Sequence, residues 1–196
     1  MYHKIYIDLG AFVGGTIKEF YETHSDASEY LIYAWEPLLN NYKVLTRNVA
    51  AMGWDNVIPL FYAASNKDGN ADFYTTIDKK SDGGTLVNGK LTGRLLYDKP
   101  VPVKCKDFCK WFIDKGFIEN CGDYYICLKM NIEGGEYEIM DDMIDTGILD
   151  SIDEFKFWLH LEKIGDSLQK AKYEQTHNRF LKELERNGNL EVIRMS

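Results

Sequence analysis

The chain has 196 residues, 45% of them apolar or aromatic, and a formal net charge of −8 at pH 7. This length suits one domain with one sizeable core, so the sequence predicts a single domain over residues 1–196. The acidic balance argues against nucleic acid as a partner, because such binding rests largely on clustered Lys and Arg.

The sequence shows no signal-peptide pattern, and no window approaches the roughly 20 apolar residues of a membrane-spanning helix. We therefore expect a cytoplasmic protein without a membrane span. The cysteines form no Cys-x-x-Cys pair and have no His at zinc-ligand spacing. We interpret them as reduced thiols: Cys105, Cys109, Cys121 and Cys127.

The first part of the chain alternates predicted strands with predicted helices. Strands are indicated by β-branched and aromatic runs, and helices by apolar residues at three- and four-residue spacing, such as Ile17, Phe20 and Tyr21. The predicted elements are a strand over 4–9, a Gly-rich turn over 10–15, a helix over 16–23, a strand over 30–35, a helix over 38–52, and strands over 56–64 and 71–76.

The second part begins with the irregular residues 77–99, which we interpret as a lid over a binding site. Asp107 is placed to cap a helix, and Gly147 is placed to end one. The predicted elements are strands over 101–106, 124–132, 154–161 and 190–195, and helices after Asp107, over 136–146 and over 166–187. This alternation predicts an α/β fold with a mostly parallel central sheet and helices on both faces.

Ligands of open α/β sheets bind beyond the carboxyl ends of the strands. Polar and glycine residues follow four predicted strands there, at 8–15, at Glu36, at 131–135, and at His160 with Glu162. We expect these four segments to meet at one edge of the sheet and to form a site.

The Gly10–Gly15 loop allows close approach of the backbone to a nucleotide, and Glu36 can accept hydrogen bonds from both hydroxyls of a ribose. This combination is typical of an adenosine cofactor. A dinucleotide site prefers G-x-G-x-x-G, but position 12 is Phe12. A NAD-dependent oxidoreductase of Rossmann type is therefore kept as an alternative.

Four motifs of the chain occur in a distinctive order and spacing. They are Ile7-Asp8-Leu9-Gly10-Ala11-Phe12-Val13-Gly14, Trp35-Glu36-Pro37, Ala63-Ala64-Ser65 ahead of Asp68-Gly69, and Lys129-x-Asn131-x-Glu133-Gly134-x-Glu136. This set resembles that of the FkbM-like methyltransferase family. The resemblance spans most of residues 5–162. It implies a Rossmann-like methyltransferase fold, S-adenosylmethionine as the methyl donor, and a hydroxyl of a sugar, glycan or small natural product as the acceptor.

The resemblance also implies roles for individual residues. Asp8, Gly10 and Gly14 would line the methionine half of the donor, and Ala11 would also contact the donor. Glu36 would hold its ribose, and the region of Ala63 and Ala64 would flank its adenine. The family pattern usually has Asp where this chain has Asn131, a neutral amide that can ligate Mg²⁺ or Mn²⁺ but cannot act as a base. Glu162 matches a family position for substrate or metal, and metal dependence is left open.

A hydroxyl acceptor must lose its proton, and Lys129, Glu133 and His160 are the candidates by position. We favour His160, although a His in such an alternating apolar run is as often a core residue. A third alternative is a non-catalytic module that retains the fold. It is motivated by Asn131 and by the end of the chain soon after the last predicted strand, which also suggests a domain of a larger enzyme.

Overall fold

The computed structural model describes residues 3–76, 83–91, 94–188 and 190–194. Its strands are β1 (His3–Leu9), β2 (Tyr30–Trp35), β3 (Val57–Leu60), β4 (Ala63–Ser65), β5 (Gly69–Phe73), β6 (Val101–Asp107), β7 (Tyr124–Met130), β8 (Glu154–Phe157) and β9 (Glu191–Arg194). Its α-helices are α1 (Gly15–Thr23), α2 (Leu39–Met52), α3 (Phe108–Asp114), α4 (Glu136–Thr146) and α5 (Ser167–Arg186).

Six strands form a parallel central sheet in the order β3-β2-β1-β7-β8-β9. The central strands are buried on both faces, which explains their nearly continuous apolar sequences. Ile5, Ile7 and Leu9 of β1 pack with residues of α3, α4 and α5, whereas Tyr6 packs with residues of α1 and α2. The predicted α/β fold with helices on both faces is confirmed.

The local signals for helix ends are also confirmed. The Asp107 side chain accepts a hydrogen bond from Lys110 N at the start of α3. Gly147, with a φ of 74°, ends α4 in the left-handed conformation. Within the described ranges, no helix is both long enough and apolar enough to cross a membrane.

The predicted strand over 56–64 is wrong, because the structure divides it between two sheets. Residues of β3 pair with β2, but the chain turns at Tyr62, whose N–H donates to Leu60 O at 3.0 Å. The following β4 pairs with β6 in a separate three-stranded sheet of order β4-β6-β5. The apolar run is continuous along the chain, so its pattern carries no sign of this change of partner.

The predicted strand over 154–161 is too long. Pairing of β8 with β7 ends at Met130 and Phe157, because the chain after Met130 turns away into the loop 131–135. His160 and Glu162 therefore do not follow a strand end directly. Glu162 lies in a short 3-10 turn, Leu161–Lys163, which begins immediately after His160.

The irregular segment 77–99 lies partly outside the described residues, at 77–82 and 92–93. Its described part 83–91 is held by isolated bridges, with Thr85 on Tyr74 and Lys90 on Ile164. The Leu91 N–H donates to Lys163 O at 2.7 Å, and the Gly165 N–H donates to Gly89 O at 3.1 Å. This part of the segment is thus seated on the body of the protein.

Candidate active site

A cavity of about 280 Å³ lies at the carboxyl ends of β1, β2 and β7. This is the position at which open α/β sheets bind ligands, and the volume is close to the lower end for small-molecule sites. The predicted site residues that line it are Gly10, Ala11, Glu36, Ala63, Ala64, Lys129, Asn131 and Glu133. The predicted site residues that do not line it are Asp8, Gly14, His160 and Glu162.

Gly10 allows two loops to approach each other at the floor of the cavity. Its φ is +86°, and a Cβ atom added there would lie 2.2 Å from the backbone oxygen of Asn131. The Ala11 N–H donates to Trp35 O at 2.8 Å, which ties the same loop to β2. Gly14 instead precedes α1 and faces Leu45, so it shapes the loop from behind.

Asp8 and Lys129 form a buried ion pair beneath the cavity. Lys129 Nζ lies 2.8 Å from Asp8 Oδ1 and donates to Gly10 O at 2.8 Å. The Thr16 hydroxyl donates to the other oxygen of Asp8. Asp8 is fully buried, and its charge is matched by Lys129. The pair therefore holds the Gly10 loop in place, and Asp8 supports the cavity wall without being part of it.

Glu36 presents a buried carboxylate to the cavity. Its Oε1 accepts hydrogen bonds from Leu38 N at 2.9 Å and from Asn41 Nδ2 at 3.2 Å. Burial raises the pKa of this carboxyl to about 7, against the smaller opposing effect of these hydrogen bonds. Both charge states of Glu36 are consequently accessible near neutral pH, and the ionised state gains from any hydroxyl that donates to it.

Other residues of the cavity wall were not predicted from the sequence. Leu38 and Asn41 follow Glu36 at the start of α2, so their closeness to Glu36 in the sequence could have indicated that they line the same site. Thr16 lies at the start of α1, next to the Gly10 loop. The others come from the second sheet and the residues just after β5, the segment 83–91 and the loop after β3, whose positions no local pattern indicates. The wall residues missed from the sequence include Thr16, Leu38, Asn41, Tyr62, Phe73, Thr76 and Leu86.

Glu133 lies in the loop after β7 with a left-handed φ of 58°, which is uncommon for a residue with a side chain. Its carboxylate accepts a hydrogen bond from Lys90, and Lys163 Nζ lies 3.7 Å away. Burial opposes ionisation of Glu133, but the hydrogen bond from Lys90 and the nearby charges lower its pKa below the ordinary value. Glu133 is therefore a carboxylate at neutral pH.

His160 lies behind Glu133, outside the cavity wall. Its Nδ1 is 2.9 Å from Glu136 Oε1, and its Nε2 is 3.6 Å from Glu133 Oε1. Glu136 in turn accepts hydrogen bonds from the N–H groups of Ile132 and Gly134. These contacts fix the loop 131–135. His160 reaches the cavity through Glu133, whereas Glu162 is exposed on the adjacent turn.

The part of the chain that the structure describes contains no group of three or more His, Cys, Asp or Glu side chains placed to hold a metal ion. The predicted ligands also do not come together, since Asn131 lines the cavity and Glu162 does not. His, Cys, Asp and Glu side chains of the described residues thus form no ligand set for Mg²⁺ or Mn²⁺.

The parallel sheet, the helices on both faces and the cavity at the carboxyl edge define a Rossmann-like fold of the methyltransferase type. The family model described as the methyltransferase FkbM domain matches residues 8–190. The chain therefore belongs to the FkbM methyltransferase family, which confirms the resemblance seen in its motifs. The chain matches no curated protein and no solved structure.

Proposed function

We propose that the protein is an S-adenosylmethionine-dependent methyltransferase that acts on a hydroxyl oxygen of a sugar or glycan. The observation that carries the proposal is the buried carboxylate of Glu36 in the wall of the same cavity as Gly10. Glu36 would accept the ribose hydroxyls, Gly10 and Ala11 would border the methionine half, and Ala63 with Ala64 would flank the adenine.

The charges around the cavity support a cationic ligand. Its wall contains three acidic side chains and one basic side chain. Glu19 pairs with Lys156, Glu133 with Lys90 and Lys129 with Asp8, so within the described residues Glu36 is the wall carboxylate without an ion pair. The unpaired carboxylate of Glu36 is compatible with a sulfonium donor, whereas within the described residues the wall offers the pyrophosphate of NAD no basic side chain that is not already paired, and position 12 is Phe12 where the dinucleotide motif has glycine. The NAD-dependent oxidoreductase is the weaker alternative for this reason.

The bound donor would supply a methyl group bonded to a positively charged sulfur. An acceptor oxygen would attack the methyl carbon in line with the carbon–sulfur bond, which breaks as the carbon–oxygen bond forms. The contribution of the protein is to hold the acceptor close to that methyl, and proximity alone can lower a barrier by roughly 7–11 kcal/mol. We assign removal of the hydroxyl proton to Glu133, because it lines the wall, is ionised and, unlike Glu36, has no contact assigned to the donor. His160 would orient Glu133, and Lys129 would hold the Gly10 loop.

The acceptor part of the proposal rests on the segment 77–99. Its described residues Gly84 and Leu86 line the cavity, so the segment contributes to the wall near which an acceptor would lie. A segment of this kind suits an extended polar acceptor that must be enclosed during transfer. Deletion of 77–99 should weaken binding and slow transfer, and unchanged values for both would contradict a lid.

Calorimetric titration with S-adenosylhomocysteine, the product of the donor, tests the proposal directly. We expect a dissociation constant in the micromolar range for the wild-type protein and no heat with NAD. The Glu36→Ala variant removes the ribose contact and should bind at least about tenfold more weakly. Binding of NAD alone would support the oxidoreductase, and no binding of either ligand would support the non-catalytic module.

The assignment of Glu133 as the base can be tested by measuring kcat of variants, after an acceptor has been identified with radiolabelled donor. Glu133→Gln keeps the shape of the side chain but cannot take a proton, so kcat should fall by at least about 100-fold. His160→Ala should have a smaller effect if His160 acts through Glu133. An equal or larger loss for His160→Ala would restore His160 as the base, and near-normal rates would remove both residues from the mechanism.

A further inference from the structure

Two residues of the cavity wall have a buried polar atom without a hydrogen-bond partner in the described part of the chain. They are Trp35, through its indole Nε1, and Asn131, through Oδ1. Buried polar atoms in native proteins almost always have a partner, and an unpaired one costs about 1–3 kcal/mol. A ligand that supplies the missing partners would remove this cost, so both atoms indicate polar contacts with the molecule that fills the cavity.

Trp35 is the stronger evidence for a ligand contact, because the residue is 1% exposed and its N–H cannot donate to bulk water. Its ring packs perpendicular to Trp111, with centroids 5.1 Å apart, and lies 6.2 Å from the ring of Phe108. These contacts fix the indole plane. An indole N–H is a donor only, so the missing partner must be an acceptor.

The position of Trp35 limits which part of the ligand it meets. Trp35 ends β2 directly before Glu36, and its ring lies 6.4 Å from that of Tyr62. Ala64 packs in the same cluster of buried residues. On the proposed function, Ala64 flanks the adenine and Glu36 holds the ribose, and both line the same cavity as Trp35, which places the Trp35 ring near the base. The ring nitrogens of adenine are acceptors, whereas both ribose hydroxyls would donate to Glu36.

We propose that the Trp35 indole N–H donates a hydrogen bond to a ring nitrogen of the adenine, which makes Trp35 a specificity-determining residue for the base. The inference rests on the proposed function and adds to it a recognition contact on the adenine itself. It also explains why the buried Trp35 N–H has no hydrogen-bond acceptor among the described residues, since the ligand would supply that acceptor.

The test compares S-adenosylhomocysteine with its 1-deaza, 3-deaza and 7-deaza analogues, each of which replaces one ring nitrogen by C–H. Calorimetric titration of the wild-type protein should show one analogue that binds roughly three- to tenfold more weakly than the parent. Trp35→Phe keeps a buried aromatic ring but removes the donor. This variant should bind the parent as weakly as the wild type binds that analogue, with no further loss for the analogue.

Trp111→Phe is the matched control, because Trp111 packs against Trp35 but does not line the cavity. It should bind the parent and the analogues in the wild-type ratios. The inference is overturned if Trp35→Phe and the wild type show equal discrimination between parent and analogue. It is also overturned, whatever the variant does, if no deaza analogue binds the wild type more weakly than the parent. A wild-type protein that binds no S-adenosylhomocysteine overturns the proposed function as well.

Discussion

Glu36 combines burial with a position in the cavity wall, and this makes ligand affinity sensitive to pH. Its pKa is raised to about 7 by burial, while ribose hydroxyls donate to the ionised form. The protonated fraction increases below pH 7, so affinity for S-adenosylhomocysteine should be roughly tenfold lower at pH 6 than at pH 8. Calorimetric titrations at the two pH values measure this, and Glu36→Gln should bind weakly with no such dependence.

Burial of Glu36 also lowers the free energy of unfolding of the unliganded protein when the carboxyl is ionised. Its folded pKa of about 7 lies above its ordinary value of 4.5, so its contribution to stability is present below pH 4.5 and is lost as pH rises through 7. Glu36→Gln has no carboxylate to ionise. Its free energy of unfolding, relative to wild type, should therefore increase by about 3 kcal/mol between pH 4.5 and pH 8. Urea denaturation at both pH values measures the difference, and a constant difference would contradict the raised pKa.

Gly10 is required by a close contact as well as by its backbone conformation. A Cβ at this position would lie 2.2 Å from Asn131 O, and the φ of +86° disfavours any side chain. Gly10→Ala should therefore lower the free energy of unfolding by about 3 kcal/mol or more, measured by urea denaturation. Gly15→Ala is the control, since no atom of the residues that the structure describes lies within 4 Å of its added Cβ. Similar stability for the two variants would show that the loops are not in tight contact.

At the level of elements, the segment 83–91 and the loop 131–135 hold each other in place. The Thr85 hydroxyl donates to Glu133 O at 2.7 Å, and the ammonium of Lys90, whose side chain is 2% exposed, pairs with the Glu133 carboxylate. Lys90 also donates to Gly83 O at 3.2 Å. Sequence patterns did not single out Lys90, because its partner lies 43 residues further along the chain.

Removal of the Lys90 ammonium should loosen this segment. Lys90→Met keeps most of the apolar side chain but leaves the Glu133 carboxylate with weaker partners. Hydrogen exchange by mass spectrometry should show amides of residues 83–91 exchanging at least about tenfold faster than in the wild type. Lys99→Met, at an exposed position, should leave them unchanged. Equal protection in the two variants would mean that backbone contacts alone hold the segment.

Elements were predicted well where the signal is local and poorly where it depends on pairing. The strand, loop and helix from β1 to α1 follow from composition and spacing within about 20 residues. By contrast, β3 and β4 lie in one continuous apolar run, but β3 pairs with β2 and β4 pairs with β6. The end of β8 is likewise set by pairing, because it lies where β7 no longer pairs with it. Apolar periodicity describes burial of a segment and contains no information about its neighbour.

At the scale of the whole molecule, burial determines how readily the cysteine thiols ionise and react. Cys105, Cys109 and Cys127 are free and buried, while the side chain of Cys121 lies outside the described part of the chain. Burial raises the pKa of the Cys109 thiol to about 12 and raises those of Cys105 and Cys127 as well. Since the thiolate is the reactive form, these side chains are inert in the native protein.

Labelling with a disulfide reagent at pH 8 tests this picture. In a Cys121→Ser background, the three buried thiols should react only as fast as the protein unfolds, and they should react at once in guanidinium chloride. The control is a dialysis against excess reductant, which should not change the unfolding transition. Rapid labelling of the native protein would show that the core opens far more readily than its packing indicates.

Local patterns in the chain were sufficient for the α/β class, the Gly10 loop, the position of Glu36 and the family, because these depend on residues close together in sequence. Three-dimensional packing alone decided that His160 lies behind Glu133, that Lys90 pairs with Glu133, and that the Trp35 indole N–H has no hydrogen-bond partner among the described residues. The physical reason is that hydrogen bonding and desolvation are set by atoms brought together from distant segments, which no period or motif records.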